Sequence, residues 1–224
     1  MTTTIKHLAI IMDGNRRWAR RRGLPIYRGH AAGVVALEKL IRACVKKSIP
    51  YVTVYGFSTE NWGRSKVEVA GLIKIINAAI IKYTGLLDEV NWRIKFIGRI
   101  KDFPKTLQST MAKAEQKLQT NQAGMLVVAL GYGGRDELIR AVAKANRKSR
   151  VNEKEFSQYL DTTGMPDPDL VIRTGGVKRL SNFLLWQIAY SELYFTNTFW
   201  PAFTPKHLDA ALREYSHRQR NFGK

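Results

Sequence analysis

The sequence predicts an α/β fold: a single domain over residues 1–224, with a mostly parallel six-stranded sheet flanked by helices. Short apolar runs alternate with longer amphipathic segments, and strand–helix–strand order implies right-handed crossovers between parallel strands. The runs are apolar on both faces, as in residues 8–12, which is typical of parallel strands covered by helices. No repeat, linker or low-complexity stretch indicates a second domain.

The predicted strands are short and rich in apolar, β-branched or aromatic residues, and they lie at residues 8–12, 51–57, 92–98, 125–130, 169–173 and 193–195. A basic segment at 16–22 follows the first strand. Amphipathic helices are predicted from about Gly29, from Lys66 or Val67, over residues 104–119, and from Pro205.

The helix predicted from Lys66 is apolar nearly all round between residues 69 and 81, which leaves two interpretations. Such a helix is either deeply buried or lines an apolar cavity. Cys44, the single cysteine, falls on the apolar face of the preceding helix, so we predict a core residue and no disulfide within the chain. The charged residues 144–154 are predicted to form a mobile surface connection.

The composition is that of a globular protein with a large surplus of positive charge. Of 224 residues, 45% are hydrophobic and 25% charged; 37 Lys and Arg against 18 Asp and Glu give a net charge of +19. This surplus favours a phosphorylated substrate, nucleic acid or an anionic lipid surface as partner. With no signal-like region and no apolar stretch of about 18 residues, we expect a cytoplasmic protein that can rest on the inner face of the membrane.

The first strand runs directly into Asp13-Gly14-Asn15-Arg16-Arg17. In open parallel sheets, ligands bind just past the carboxyl ends of the strands. Gly14 permits a tight turn, and Asn15 is predicted to cap the following helix. A carboxylate for a hard cation, beside two arginines and helix-start amides, predicts a site for a phosphate–metal substrate. Taken alone, the stretch also fits an ordinary strand–turn–helix.

Two further strand ends carry polar or charged side chains, at residues 58–64 and 173–182. The second contains Arg173, Arg179 and Ser181, and the planar fork of arginine suits phosphate. One such loop is explained equally well as solvated surface, but three at strand ends indicate one phosphate-binding rim. The glycine-rich loop at 131–134 has neither the spacing nor the lysine of a nucleotide-binding motif.

On these residues the chain resembles the cis-prenyltransferases of the undecaprenyl diphosphate synthase family. The motifs that carry the resemblance are HLAIIMDGNRRWA, GFSTENWGR, DLVIRTGG and RLSNFLLWQIAYSELYF followed by Trp200-Pro201. The resemblance implies repeated condensation of isopentenyl diphosphate onto an allylic diphosphate such as farnesyl diphosphate, with Mg²⁺ as cofactor. The expected product is undecaprenyl diphosphate for cell-wall synthesis. It also implies a homodimer and a hydrophobic tunnel, which favours the cavity-wall interpretation of residues 69–81.

The resemblance also implies residue roles. Asp13 and Asn61 would be catalytic, and Asp13 would hold Mg²⁺ with Glu192, which acts across or near the dimer interface. Because a neutral amide is hardly basic, we expect Asn61 to orient the diphosphate oxygen or water that takes the proton. Substrate contacts would come from Gly14, Asn15, Arg16, Arg17, Trp18, His30, Ser58, Thr59, Glu60, Trp62, Arg64, Arg173, Arg179, Leu180 and Ser181.

The chain departs from the family pattern in three places. Ile26 stands where an arginine is usual, so either Arg28 replaces its contact with the allylic diphosphate or that contact is missing. Val177-Lys178 replaces a usual Glu-Gln or Glu-His pair, which affects expected contacts to the metal and to isopentenyl diphosphate. The third is Gly131, where asparagine is usual.

Three alternatives are weighed against this prediction. An RNA-binding module would interleave basic residues with exposed aromatic ones, whereas here arginines gather beside a carboxylate at strand ends, so we expect no nucleic acid partner. A non-catalytic prenyltransferase subunit would lack the Asp-Gly-Asn and Arg-x-Ser-Asn elements present here. A shorter-chain cis-prenyl diphosphate synthase would share every motif, because product length depends on the depth of the tunnel.

Overall fold

The protein is described by a computed structural model covering residues 5–145 and 150–218. The six strands are β1 His7–Ile11, β2 Tyr51–Ser58, β3 Trp92–Ile97, β4 Gly124–Tyr132, β5 Leu170–Arg173 and β6 Glu192–Phe195. They form one sheet in the order β3-β4-β2-β1-β5-β6, and every pairing is parallel. The predicted fold class and all six predicted strands are confirmed.

The helices are α1 Asn15–Arg20, α2 Ile26–Lys46, α3 Lys66–Glu89, α4 Lys105–Leu118, α5 Gly134–Ala145, α6 Glu153–Ser157 and α7 Pro205–His217. Helix α2 begins at Ile26, earlier than the predicted start near Gly29, directly after Pro25. Helix α3 begins at Lys66 as predicted, and the Ser65 hydroxyl caps it by accepting the Glu68 N–H at 3.3 Å. Helix α5 was not predicted. The predicted mobile connection overlaps the ends of α5 and α6, and its residues 146–149 lie outside the described residues.

Alternate strand residues face two apolar cores, one on each side of the sheet. Leu8 and Ile10 of β1 pack in the larger core with residues of α2, α3 and α4, whereas Ala9 and Ile11 pack in the second. Burial on both faces explains why the strands are continuously apolar. Cys44 is buried in the larger core, as predicted.

Within the described ranges, α3 alone is long and apolar enough to cross a membrane by length and composition. Val69, Leu72 and Leu87 of this helix pack in the larger core, which is the position of a helix in a globular domain. Other residues of α3 line a cavity or lie on the surface.

Candidate active site

Asp13 lies immediately past the carboxyl end of β1 and accepts hydrogen bonds from two arginines. Arg17 Nη2 reaches Oδ1 at 3.0 Å and Arg173 Nη2 reaches Oδ2 at 3.0 Å. The Asp13 carbonyl oxygen accepts the Thr174 hydroxyl at 2.7 Å and the Trp200 N–H at 3.0 Å. Backbone and side chain are thus fixed independently, so the carboxylate has a defined direction.

Gly14 makes the turn that brings α1 back against the strand ends. Its φ of +110° is one that other residues rarely adopt, and a Cβ there would lie 2.7 Å from Phe199 Cδ1. Gly14 is itself the helix cap and Asn15 is the first helical residue, so the prediction that Asn15 caps α1 is wrong. A cap must lie outside the helix, and the glycine turn takes that position.

Arg173 ends β5 with a side chain that is only 5% exposed. Its Nη1 donates to the Ser181 hydroxyl at 2.7 Å and to the carbonyl oxygen of Arg179, while Nη2 holds Asp13. Arg179 Nε also lies 3.3 Å from the Ser181 hydroxyl. Ser181 has a φ of +50°, a strained conformation that recurs at functional sites. The predicted isopentenyl diphosphate residues therefore form one cluster attached to Asp13.

Residues 58–64 form a short turn whose ends are tied together. Asn61 Oδ1 accepts the Ser58 N–H at 3.1 Å, so the predicted catalytic amide also caps this turn. Glu60 accepts Asn182 Nδ2 at 3.2 Å, which joins the turn to the loop that carries Ser181. Burial would raise the pKa of Glu60, but hydrogen bonds from its own backbone, Ser58 and Asn182 lower it. Asn182 was not predicted as a site residue, although it follows Ser181.

The space beside Asp13, the polar pocket, has a volume of about 310 Å³ and is lined by Met12, Asp13, Gly14, Asn15, Arg16, Arg17, Arg20, His30 and Arg64. Four arginines and one carboxylate in this lining suit an anion with several negative charges. Arg20 was not predicted. The available signal was its position four residues after Arg16 and three after Arg17, which places all three on one helical face.

Glu68, on the first turn of α3, joins two arginines of the polar pocket. Its Oε1 lies 3.1 Å from Arg64 Nη1 and 3.7 Å from Arg16 Nε. The residue was not predicted, although its spacing of four from Arg64 is that of a helical ion pair. Its position fixes α1 and the 58–64 turn relative to α3.

His30 lies between the polar pocket and an apolar space. Burial, together with the positive charges of Arg64 and Arg16, lowers its pKa to about 4, so the ring is neutral near neutral pH. Its Nε2 is buried and has no hydrogen-bond partner among the described residues. A neutral imidazole can face an anion on one side and hydrocarbon on the other.

We call this apolar space the apolar cavity. It begins at Met12, Asn15 and His30, which also line the polar pocket. It has a volume of about 120 Å³ and continues between α2, α3 and the sheet, where α3 contributes Leu72, Ile75, Ile76, Ala79, Ile80 and Tyr83. The interpretation of residues 69–81 as a cavity wall is therefore confirmed for these positions. Its mouth is the polar pocket.

A family model described as "Putative undecaprenyl diphosphate synthase" matches residues 11–223. The chain belongs to this prenyltransferase family. It is 45% identical over 221 residues to an isoprenyl transferase of Aquifex aeolicus, covering 98% of this chain and 96% of the relative. It is also 45% identical over 224 residues to an isoprenyl transferase of Rickettsia typhi, covering 99% of each.

Two solved structures share the fold of this prenyltransferase over nearly its whole length. One is lavandulyl diphosphate synthase from Lavandula x intermedia in complex with dimethylallyl diphosphate, with a TM-score of 0.95, 35% identity, and 99% of each chain covered. The other is a "probable undecaprenyl diphosphate synthase" from Campylobacter jejuni, with a TM-score of 0.84, 33% identity, and 99% and 100% coverage. The predicted family and its enzymatic class are confirmed.

Glu192 lies at the opposite end of the sheet from Asp13 in this prenyltransferase. It is the first residue of β6 and pairs with Leu170, which pairs with Leu8 at the start of β1. Its carboxylate accepts Arg218 Nη1 at 2.7 Å. Within one chain the two predicted metal ligands are not brought together, and the described residues hold no group of three His, Cys, Asp or Glu suited to a metal.

Three other predicted substrate contacts do not line the polar pocket. Trp62 packs against Phe57 and Phe103, with ring centroids 4.9 and 5.0 Å away. Trp18 lies beneath the Arg22 guanidinium, 4.3 Å from its ring centroid. Arg28, the candidate replacement for an arginine at Ile26, lies over the exposed Tyr27 ring instead.

The remaining predicted contacts lie near the site without lining the polar pocket. Thr59 approaches Gly133, because a Cβ on that glycine would lie 2.8 Å from the Thr59 hydroxyl oxygen. Leu180 packs on the second apolar core. Leu180 therefore anchors the loop that presents Arg179 and Ser181.

Proposed function

We propose that this enzyme condenses isopentenyl diphosphate repeatedly onto an allylic diphosphate, farnesyl diphosphate in the first cycle, and forms a cis double bond each time. The product proposed is undecaprenyl diphosphate, the lipid-carrier precursor for cell-wall synthesis. The observation that supports this proposal is the junction of the polar pocket with the apolar cavity. A prenyl diphosphate has the same division, with an anionic head and a hydrocarbon tail.

The two diphosphates would occupy two groups of arginines on either side of Asp13. Arg16, Arg17, Arg20 and Arg64 would hold the allylic diphosphate, whose tail would enter the apolar cavity past His30. Charge that develops on this leaving group would be stabilised by donors that are already in position.

Isopentenyl diphosphate would bind at the second group, formed by Arg173, Arg179 and Ser181. Asp13 lies directly between the groups because it is hydrogen-bonded to Arg17 and to Arg173. Two diphosphates held in this way would bring the alkene close to the allylic C1, and this proximity would supply much of the rate.

The residues around Asp13 are suited to Mg²⁺ bound together with a diphosphate. Mg²⁺ prefers oxygen ligands and is commonly held by one or two carboxylates plus substrate phosphates, and Asp13 is the carboxylate in the lining of the polar pocket. The ion would neutralise charge on the diphosphate. We propose that Glu192 is a second carboxylate for a site near a homodimer interface, because within its own chain it lies far from Asp13.

Asn61 would act as a positioning residue. Its oxygen accepts the Ser58 N–H, which leaves the amide nitrogen as the group that can donate to a diphosphate oxygen or water. That oxygen or water, rather than the amide, would take the proton that leaves C2 of the added isopentenyl unit. The enzyme would act in the cytoplasm and contact the inner face of the membrane when its product leaves.

A second candidate is a synthase of shorter prenyl diphosphates. One observation in its favour is that a structural relative, lavandulyl diphosphate synthase, holds dimethylallyl diphosphate, a five-carbon ligand. The small volume of the apolar cavity, about 120 Å³, also fits a short tail.

The deciding experiment supplies purified protein with Mg²⁺, labelled isopentenyl diphosphate and, in separate reactions, dimethylallyl or farnesyl diphosphate, and then sizes the lipid products. A ladder that ends near eleven isoprene units supports the undecaprenyl proposal. A ladder that stops after a few units supports the shorter product. No incorporation with either primer would overturn the proposed activity.

A further inference from the structure

An outer groove runs between the first turns of α2 and α3, on the side of the apolar cavity that faces solvent. It has a volume of about 320 Å³, and Ile26, Tyr27, Val67 and Gly71 form its outer part. His30, Leu72 and Ile75 line both this groove and the apolar cavity. The two spaces are therefore back to back and share these three side chains.

The surface around the outer groove is unusually apolar for a solvated face. Among the described residues, eight large hydrophobic side chains are exposed, and five of them lie in or just before the two helices that form this groove: Leu24, Tyr27, Val35, Val67 and Ile81. Val67 is 84% exposed and Ile81 is 62% exposed. Exposed apolar side chains concentrated on two neighbouring helices in this way often mark a contact with protein or membrane.

The same surface is strongly basic. Exposed cations lie along the segment before α2 and along α2 and α3, beside the apolar side chains, at Arg22, Arg28, Lys39, Lys66, Lys74 and Lys82. From residue 15 to 46 and from 66 to 87 the sequence contains only two carboxylates, Glu38 and Glu68. Both are in ion pairs with arginines, so the field in front of this surface is positive.

We propose that this basic–apolar face, formed by the exposed residues of 22–39 and 66–82, docks on an anionic lipid bilayer. Valine, isoleucine and tyrosine side chains would enter the boundary between headgroups and acyl chains, and the lysines and arginines would bind lipid phosphates. The inference rests on the proposed function, because docking would place the wall of a prenyl-holding cavity against the membrane that receives the product.

Two other occupants fit the face less well. A second copy of the chain would bring like charges together, which disfavours a symmetric contact. Single-stranded nucleic acid binds through aromatic stacking platforms. The most exposed hydrophobic side chains of this face, Val67 and Ile81, are aliphatic instead. An anionic bilayer matches both the charge and the aliphatic side chains.

Vesicle flotation tests the docking surface directly. The full-length protein should float with vesicles of equal parts phosphatidylglycerol and phosphatidylcholine, float poorly with phosphatidylcholine alone, and be released by salt. Val67→Glu and Lys74→Glu should each weaken binding about tenfold or more. Lys113→Glu, an equal charge reversal at an exposed position of α4, should float like the wild type.

A fluorophore at position 67 provides a second measurement. Cys44 is buried, and burial raises its pKa to about 12, so it should not react with a thiol-directed label. A polarity-sensitive label on Val67→Cys should shift to the blue with anionic vesicles, while the same label on Lys113→Cys should not. No shift at position 67, or flotation that persists in both Val67→Glu and Lys74→Glu, would overturn the proposal.

Two further controls separate this proposal from its rivals. Asp13→Ala should lose prenyl transfer and still float like the wild type. Wild-type protein that floats with anionic vesicles but transfers no prenyl group from any primer would overturn the proposed function and leave the docking surface standing. An RNA oligonucleotide that displaces the protein from vesicles, and that binds Val67→Glu and Lys74→Glu more weakly than the wild type, would instead identify the face as a nucleic acid site and overturn lipid docking.

Discussion

The polar pocket and the apolar cavity meet at Met12, Asn15 and His30, yet they are held together in different ways. The polar pocket is defined by directional contacts. Asp13 forms ion pairs with Arg17 and Arg173. Glu68 forms ion pairs with Arg64 and Arg16. The apolar cavity is defined by the side chains of α2, α3 and β4, which leave a space between them.

This difference indicates a division of tasks. In the polar pocket a small displacement of one group would misplace the reacting atoms, because charge stabilisation and proximity depend strongly on geometry. In the apolar cavity a change of volume would alter how much hydrocarbon fits without moving the charged groups. Substitutions in the two regions should therefore affect different measured quantities.

The largest effect is expected from Asp13→Ala. Turnover should fall by roughly 1,000-fold or more, because the variant lacks both the proposed cation ligand and the group that orients two arginines. Steady-state assays with Mg²⁺ measure the loss, and thermal unfolding should show that the variant still folds. Asp88→Ala, which removes an exposed carboxylate of α3 paired with Lys117, is the matched control. An active, Mg²⁺-dependent Asp13→Ala enzyme would refute the role of Asp13.

Arg173→Lys should lower kcat/KM for isopentenyl diphosphate by roughly 100-fold, the effect of losing one well-placed donor. Lysine keeps the charge but cannot reach Asp13, Ser181 and the Arg179 carbonyl with one planar group. Arg179→Lys, which changes an exposed side chain, should lower kcat/KM for isopentenyl diphosphate much less. Equal losses in the two variants would show that charge alone matters at this cluster.

Lowering the pH should destabilise the fold through two histidines. One is His30, which lies between the polar pocket and the apolar cavity, and the other is His7. Burial lowers the pKa of His30 and of His7 from 6.5 to about 4. Between pH 6.5 and about pH 4 the unfolded chain therefore binds more protons than the folded chain. The free energy of unfolding should therefore be flat above pH 6.5 with respect to these groups and fall as pH drops toward 4.

For both histidines together the slope could reach about 2.7 kcal/mol per pH unit. Urea unfolding across this range measures it. His30→Gln should reduce the slope by about half, because His7 still contributes. A slope that is unchanged in both His30→Gln and His7→Gln would contradict the prediction.

The smallest effect on rate is expected from filling the apolar cavity. Ala79→Phe should shorten the product ladder because the larger ring takes up space in the cavity, whose volume is only about 120 Å³. The first condensation should proceed at the wild-type rate, since the polar pocket is unchanged. Product sizing and single-turnover assays separate these quantities. Ala112→Phe, at an exposed position of α4, should leave both unchanged.

The strands and the phosphate-binding rim could be predicted because their signals are local. Residues 8–12 are apolar on both faces, and Asp13 follows them directly, so the position of the carboxylate at a strand end required no knowledge of the fold. That Arg173 would meet Asp13 was predictable only in outline, from the shared edge of parallel strands.

Other features of the site could not be predicted because they depend on the neighbours of each side chain. Trp62 lies in the motif predicted to bind substrate, but Phe57 and Phe103 provide an aromatic cluster in which it packs. Asn15 has a good capping side chain, but the turn at Gly14 places it inside the helix. Glu192 matches a family carboxylate, but β6 puts it at the far end of the sheet.

The class of fold, the carboxylate at the end of β1 and the supply of arginines follow from the sequence alone, because periodicity and strand-end chemistry depend on neighbouring residues. Which arginines meet Asp13, where hydrocarbon can enter and which basic face lies behind the cavity depend on the folded chain. These depend on contacts such as Asp13 with Arg173, 160 residues apart. Their geometry is fixed only when the sheet orders its strands and the helices pack on it.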